Sequence, residues 1–170
     1  MAKKKSIFVP KIFVVPAVKK PFRVGRELVP YNYGLRYVSP VFTQEFGELI
    51  IEPRASYEIE QYELAVGASD RQIAKALDSS GRYRHATDPV ALAAMLALQS
   101  QGERGWLSLD HWNLFHARAK NGKWFAVSVH WNDDGWGLYA DALGDPNDRS
   151  DGCWVFSRKF ERSAARKLKH

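Results

Sequence analysis

The sequence predicts an α+β fold: a single domain whose mostly antiparallel sheet, including a carboxyl-terminal four-stranded meander, packs against two central helices. Three observations carry this. Alternating, tryptophan-rich runs after Trp106 are broken by hairpin turns, two helix-start signals lie between residues 69 and 89, and prolines at 10, 16, 21 and 30 hold the first thirty residues extended. The expected organisation is an extended arm over 1–30, an α+β domain over 31–159 and a short basic helix over 160–170.

The composition allows such a core. Of 170 residues, 45% are hydrophobic and 26% charged, which excludes a wholly disordered chain, a collagen or a coiled-coil rod. No apolar run approaches the roughly 20 residues of a membrane-spanning helix. Met1-Ala-Lys-Lys-Lys-Ser6 opens no signal peptide, so a soluble, cytoplasmic protein is expected. The single Cys153 allows no internal disulfide and suits a reducing compartment.

In the arm, the near-repeat Ile7-Phe8-Val9-Pro10-Lys11 and Ile12-Phe13-Val14-Val15-Pro16 excludes helix and central strand, because each proline removes a backbone donor. It reads as an extended arm or edge strand that packs along its own domain or another subunit. From Tyr31 to Tyr62 the text is β-like, with two or three strands interrupted at Ser39-Pro40 and Pro53. Ser69 with Gln72 three residues later forms a capping-box pattern that opens a helix over Asp70–Ser79. Thr87-Asp88-Pro89 opens a second, nearly all-apolar helix, with threonine expected at the cap and Gly102 at the end. The pair resembles a helix-turn-helix only superficially. Its connector, Ser79 to Ala86, is longer than the three or four residues of that turn, and the second helix has no side chains to read bases.

Asn121-Gly122 is the strongest hairpin signal in the chain, and Asn132-Asp133-Asp134-Gly135 is a second turn. A two-residue loop at Asn121-Gly122 pairs Trp112 with Trp131, Leu114 with Val129 and His116 with Val127. The second turn pairs Trp131 with Trp136, Val129 with Leu138 and Val127 with Ala140. Trp112, Trp131 and Trp136 then form a row on the core face, and Cys153 to Arg158 adds a fourth strand.

Charge is divided unevenly. The net charge is +6, yet residues 1–20 hold Lys3, Lys4, Lys5, Lys11, Lys19 and Lys20 with no acid. Residues 158–170 hold Arg158, Lys159, Arg162, Arg166, Lys167 and Lys169 against Glu161, and Phe160, Ala164, Ala165 and Leu168 between them give helical spacing. Basic ends of this kind attract phosphate backbones. Two acidic segments, Glu45 to Glu63 and Asp133 to Asp151, offer instead a surface that imitates nucleic acid, or they neutralise the chain's own cations.

The two-residue register places His130, Tyr139, Ser128 and Asn113 together on the other sheet face, the weak candidates for a catalytic site with His130 as base. No oxyanion signature accompanies Ser128. His111 and His116 fall on opposite faces of a strand, and Gly144 to Gly152 lacks calcium-loop spacing, so neither metal nor cofactor is expected. The leading functional expectation is a non-catalytic accessory protein of a macromolecular complex that binds nucleic acid or a nucleoprotein through its basic ends. The alternatives are an inhibitor or adaptor that holds a protein by its acidic or aromatic surface, and a small hydrolase using His130.

Overall fold

A computed structural model describes residues 11–78 and 82–159. In chain order they form β1 (Lys11–Val15), β2 (Phe22–Arg23), α1 (Val24–Glu27), β3 (Leu35–Val38), α2 (Pro40–Phe46), β4 (Ile50–Ile51), β5 (Tyr57–Glu63), β6 (Ala68–Ser69), α3 (Asp70–Leu77), α4 (Pro89–Leu98), β7 (Asn113–Arg118), β8 (Trp124–Asn132), β9 (Gly135–Ala142), β10 (Asp148–Arg149) and β11 (Trp154–Arg158). Seven strands make one sheet in the order β1-β5-β11-β7-β8-β9-β3. None of the described helices is long and apolar enough to cross a membrane.

The sheet is mixed, which corrects the mostly antiparallel expectation: β11 runs parallel to β7, and β3 parallel to β9. The cause lies in the connection after β9. Residues 143–153 carry the chain back along the sheet, with β10 paired to β6 on the way, so β11 starts at the same end as β7 and inserts between β7 and β5. The expected four-stranded meander is therefore three consecutive strands with a fourth added beside the first.

The hairpin register also differs. Ala119 N–H donates to the Lys123 carbonyl at 2.9 Å and Gly122 N–H to the Ala119 carbonyl at 3.0 Å, so the loop is Lys120-Asn121-Gly122, with Gly122 at φ +84. A three-residue loop that ends on a left-handed glycine uses the same Asn-Gly pair as a two-residue one. The extra residue moves every pair by one, to Asn113↔Val129, Phe115↔Val127 and Ala117↔Phe125. Between β8 and β9 the register is the expected one, from Trp131↔Trp136 to Phe125↔Ala142.

Both faces are covered. On one, Phe115, Val127, Leu138 and Phe156 join the apolar helix α4 and the β1 residues Phe13 and Val15 in the main core. On the other, Leu114, Ala126 and Val155 pack against Ile73 and Leu77 of α3. The two helices thus lie on opposite faces of the sheet, which leaves no helix-turn-helix unit. Ser69 and Gln72 form their capping box, whereas α4 is capped by Asp88 and not by Thr87, since Pro89 occupies its first turn. Ser39-Pro40, expected to interrupt strands, opens α2. Ser39 Oγ accepts from Phe42 N–H at 3.2 Å, and Phe42 and Phe46 are buried. Lys11–Val15 is the expected edge strand, paired with β5. The short helix α1 departs from an arm extended throughout.

The tryptophan row is broken by the register. Trp136 is fully buried, meets Trp131 edge-on at 5.2 Å and donates its Nε1–H to the Gln99 carbonyl at 2.8 Å, while Trp112 turns to the opposite face. Gln99 in turn closes the following loop, accepting from Leu107 N–H at 2.7 Å and donating to the Glu103 carbonyl at 2.7 Å. We expect Trp136→Phe to lower the urea-unfolding free energy by about 2–3 kcal/mol, from lost volume and the loss of one of two hydrogen bonds to the Gln99 carbonyl, which keeps that from Gly102 N–H. A change below about 0.5 kcal/mol, the usual size for a surface substitution, would contradict this packing.

Candidate nucleic-acid interface

The end of the sheet that carries the β7–β8 hairpin gathers cations from several elements. β11 finishes there at Arg158, β5 begins there at Tyr57, and residues 85–87 bridge the ends of β11 and β7. Arg158 N–H donates to the His85 carbonyl and Thr87 N–H to the His116 carbonyl, at 2.9 and 2.8 Å, which ties residues 85–87 to β11 and β7. The same loop lays Tyr83 parallel on Trp124, with ring centroids 4.7 Å apart and planes 20° apart. Trp124 is the cross-strand partner of Arg118.

The resulting rim holds Arg54, Arg82, Arg84, Arg118, Lys120, Lys123, Arg158 and Lys159. Among the described residues, three of these are seen neutralised by the chain's own acids. Arg54 grips Asp88 with two hydrogen bonds of 2.7 and 3.0 Å, Lys159 meets Glu58 at 2.8 Å, and Lys120 pairs with Glu48. Arg84, Arg118, Lys123 and Arg158 are exposed and make no ion pair among the described residues. The Arg158 guanidinium lies 4.3 Å from the centre of the Tyr57 ring, and that of Arg54 lies 4.6 Å from it. Beside them opens a groove of about 510 Å³ lined by Val14, Ser56, Tyr57, Glu58, Arg158 and Lys159. Burial first, then the Asp88 charge, pushes the Tyr57 hydroxyl well above its ordinary value, so Tyr57 stays a neutral platform for both arginines.

Beneath the loop lie two imidazoles. His85 and His116 are fully buried, meet edge-on at 4.9 Å, and have, among the described residues, no hydrogen-bond partner on any of their four ring nitrogens. Burial, then the neighbouring His85 and the Arg149 charge, pulls His116 down to about 3. Burial also lowers His85, against the opposing pull of Asp78, whose carboxylate lies 3.9 Å away. Both rings are neutral at pH 7 and serve as packing under the rim.

Of the sequence-predicted cations, the structure brings Arg158 and Lys159 to this rim. Lys19 and Lys20 line a separate cleft with Pro16, Phe22, Tyr33 and Ala97 against α4. Lys3, Lys4, Lys5, Arg162, Arg166, Lys167 and Lys169 lie outside the described residues. Sequence reasoning missed Arg82, Arg84, Arg118 and Lys123. Arg82-Tyr83-Arg84 was the available signal, since cations interleaved with an aromatic ring suit a nucleic-acid surface, but only the fold sets it against Trp124.

The weak catalytic candidates separate. Asn113 faces the main core, where it accepts from Ser108 N–H at 2.7 Å and donates to the Val129 carbonyl at 3.3 Å. Trp112 takes its place beside His130, 4.9 Å away and 5.2 Å from Tyr139. Ser128 Oγ is buried without a hydrogen bond among the described residues, and His130 Nδ1 instead faces Asn132 Oδ1 at 3.2 Å. Tyr139 lies over Gly137, where a Cβ would come within 2.8 Å of its ring. Among the described residues no group of three or more His, Cys, Asp or Glu is placed to hold a metal ion.

Comparison with protein-family models, curated proteins and solved structures finds no match for this chain.

The buried imidazoles make stability depend on pH. An unfolded imidazole titrates near about 6.5, whereas folded His116 titrates at about 3, so its contribution is whole above about pH 6.5 and is lost as pH falls toward 3. Between pH 7.5 and 5.5 we expect His116 alone to remove about 1.4 kcal/mol from the unfolding free energy. His116→Leu should flatten that slope in urea titrations at the two pH values. An unchanged slope would clear the imidazole of the effect.

Proposed function

We propose that this chain is a non-catalytic accessory protein that binds nucleic acid through the cationic rim at the hairpin end of its sheet. The observation that carries this reading is the grouping of Arg84, Arg118, Lys123 and Arg158, exposed and without an ion pair among the described residues, around two aromatic platforms. Each such cation can displace condensed counterions from a phosphate backbone, and the gain is entropic and independent of sequence. The sequence after Lys159 carries four further basic residues, Arg162, Arg166, Lys167 and Lys169. The β8–β9 turn, at the opposite end of the sheet, carries Asp133 and Asp134, so the field favours one orientation of approach.

The inhibitor reading has less support, because Glu48, Glu58, Asp70, Asp88 and Asp141 are engaged by the chain's own cations and do not form a continuous free acidic surface. The hydrolase reading loses Asn113 to the core and finds no bond between Ser128 and His130. Binding to a fluorescent 20-nucleotide random-sequence oligomer should weaken linearly with the logarithm of salt concentration. Arg84→Ala and Lys123→Ala should each reduce the slope by about 0.7 for single strands and about 0.9 for duplex. Absence of binding at low salt, or slopes untouched by both substitutions, would overturn the proposal.

A further inference from the structure

Resting on the proposed rim, the geometry points to a more specific ligand: we propose that the site takes single-stranded polynucleotide, with an unpaired base stacked at the Tyr83–Trp124 pair. Three observations lead there. The two rings are parallel at 4.7 Å and both half-buried, so they form a fixed apolar surface that still meets solvent. Exposed Arg82 and Arg84 flank Tyr83 in sequence. On the other side stand Arg118, opposite Trp124 in the sheet, and Lys123, adjacent to it in sequence. The loop is held rather than loose at this point. Tyr83 is at φ +48, the Asp78 carboxylate accepts from Arg84 N–H, and Ala86 N–H closes a turn onto the Tyr83 carbonyl at 3.0 Å.

Base stacking on a protein ring requires a base that has left its own stack, which duplex ends and single strands supply and a continuous helix does not. Duplex readout would need an element that enters the major groove. Here α4 is buried in the core, and none of the rim's cations lies on a helix. Stacking also tolerates any base, in keeping with phosphate contacts that carry no sequence information. DNA and RNA share this chemistry.

The test compares oligo-dT and oligo-U 15-mers with a 15-base-pair duplex at one low salt concentration, using the full chain and reading anisotropy together with tryptophan fluorescence. Both single strands should bind more tightly than the duplex and quench tryptophan emission. Preference for one of them would tell DNA from RNA. Tyr83→Ala should weaken single-strand binding roughly 5- to 100-fold with the salt slope unchanged, because a stacked base and not a phosphate contact is lost. Tyr83→Phe should keep wild-type affinity, and Tyr83→Leu, which still covers Trp124, should lose it as alanine does. If leucine binds like wild type, or if duplex and single strand bind equally with a steep salt slope, the stacking inference is overturned while the rim survives. If neither nucleic acid binds at low salt, both fall.

Discussion

The arrangement depends on one buried charge cluster. Arg149 donates two hydrogen bonds of 2.7 and 2.8 Å to Asp70, at the first turn of α3, and a third of 3.1 Å to Asp141 on β9. The Asp70 side chain is wholly buried. Burial alone would weaken the guanidinium's charge, but the hydrogen bonds and charges of the two carboxylates outweigh it and raise its pKa. Breaking such a pair by removing one partner costs about 3–5 kcal/mol, because a charge is left unpaired in a dry site. The cluster therefore pins the returning segment after β9 against both the sheet and α3. That return makes β11 parallel to β7.

From this constraint follows the position of the rim. A strand that continued the meander beside β9 would end far from Tyr57 and from the loop over His85. As built, β11 lies between β5 and β7, and Arg158 finishes beside His85 and over Tyr57. The same placement covers the buried imidazoles with the loop that carries Arg82, Tyr83 and Arg84. Stability beneath the rim and charge upon it are thus properties of one packed layer, although the first depends on neutral rings and the second on exposed cations.

Much of the local structure was legible. The β8–β9 register followed from Trp131, Val129 and Val127 facing Trp136, Leu138 and Ala140, since a slip of one residue would reverse all of them. The β7–β8 register did not follow, because the sheet is apolar on both faces there. Leu114 enters the smaller core and Phe115 the larger one, so alternation gives no preference between two- and three-residue loops. That single residue separated Asn113 from His130 and broke the tryptophan row. Similarly, Ser39-Pro40 was visible as a break, yet proline after serine serves equally as a strand end and a helix start. The cap of α4 erred by one position for a related reason, since Thr87, Asp88 and Pro89 each suit a helix entry.

The amino-acid sequence alone determined where helices begin, where chains reverse and how unevenly charge is spread, because capping, turn conformation and proline act over a few neighbouring residues. Only the tertiary structure decided that Arg84, Arg118, Lys123 and Arg158 share one end of the sheet. Strand order depends on contacts between residues far apart in the chain, here Arg149 with Asp70, and no local pattern records which distant partner a buried charge will find.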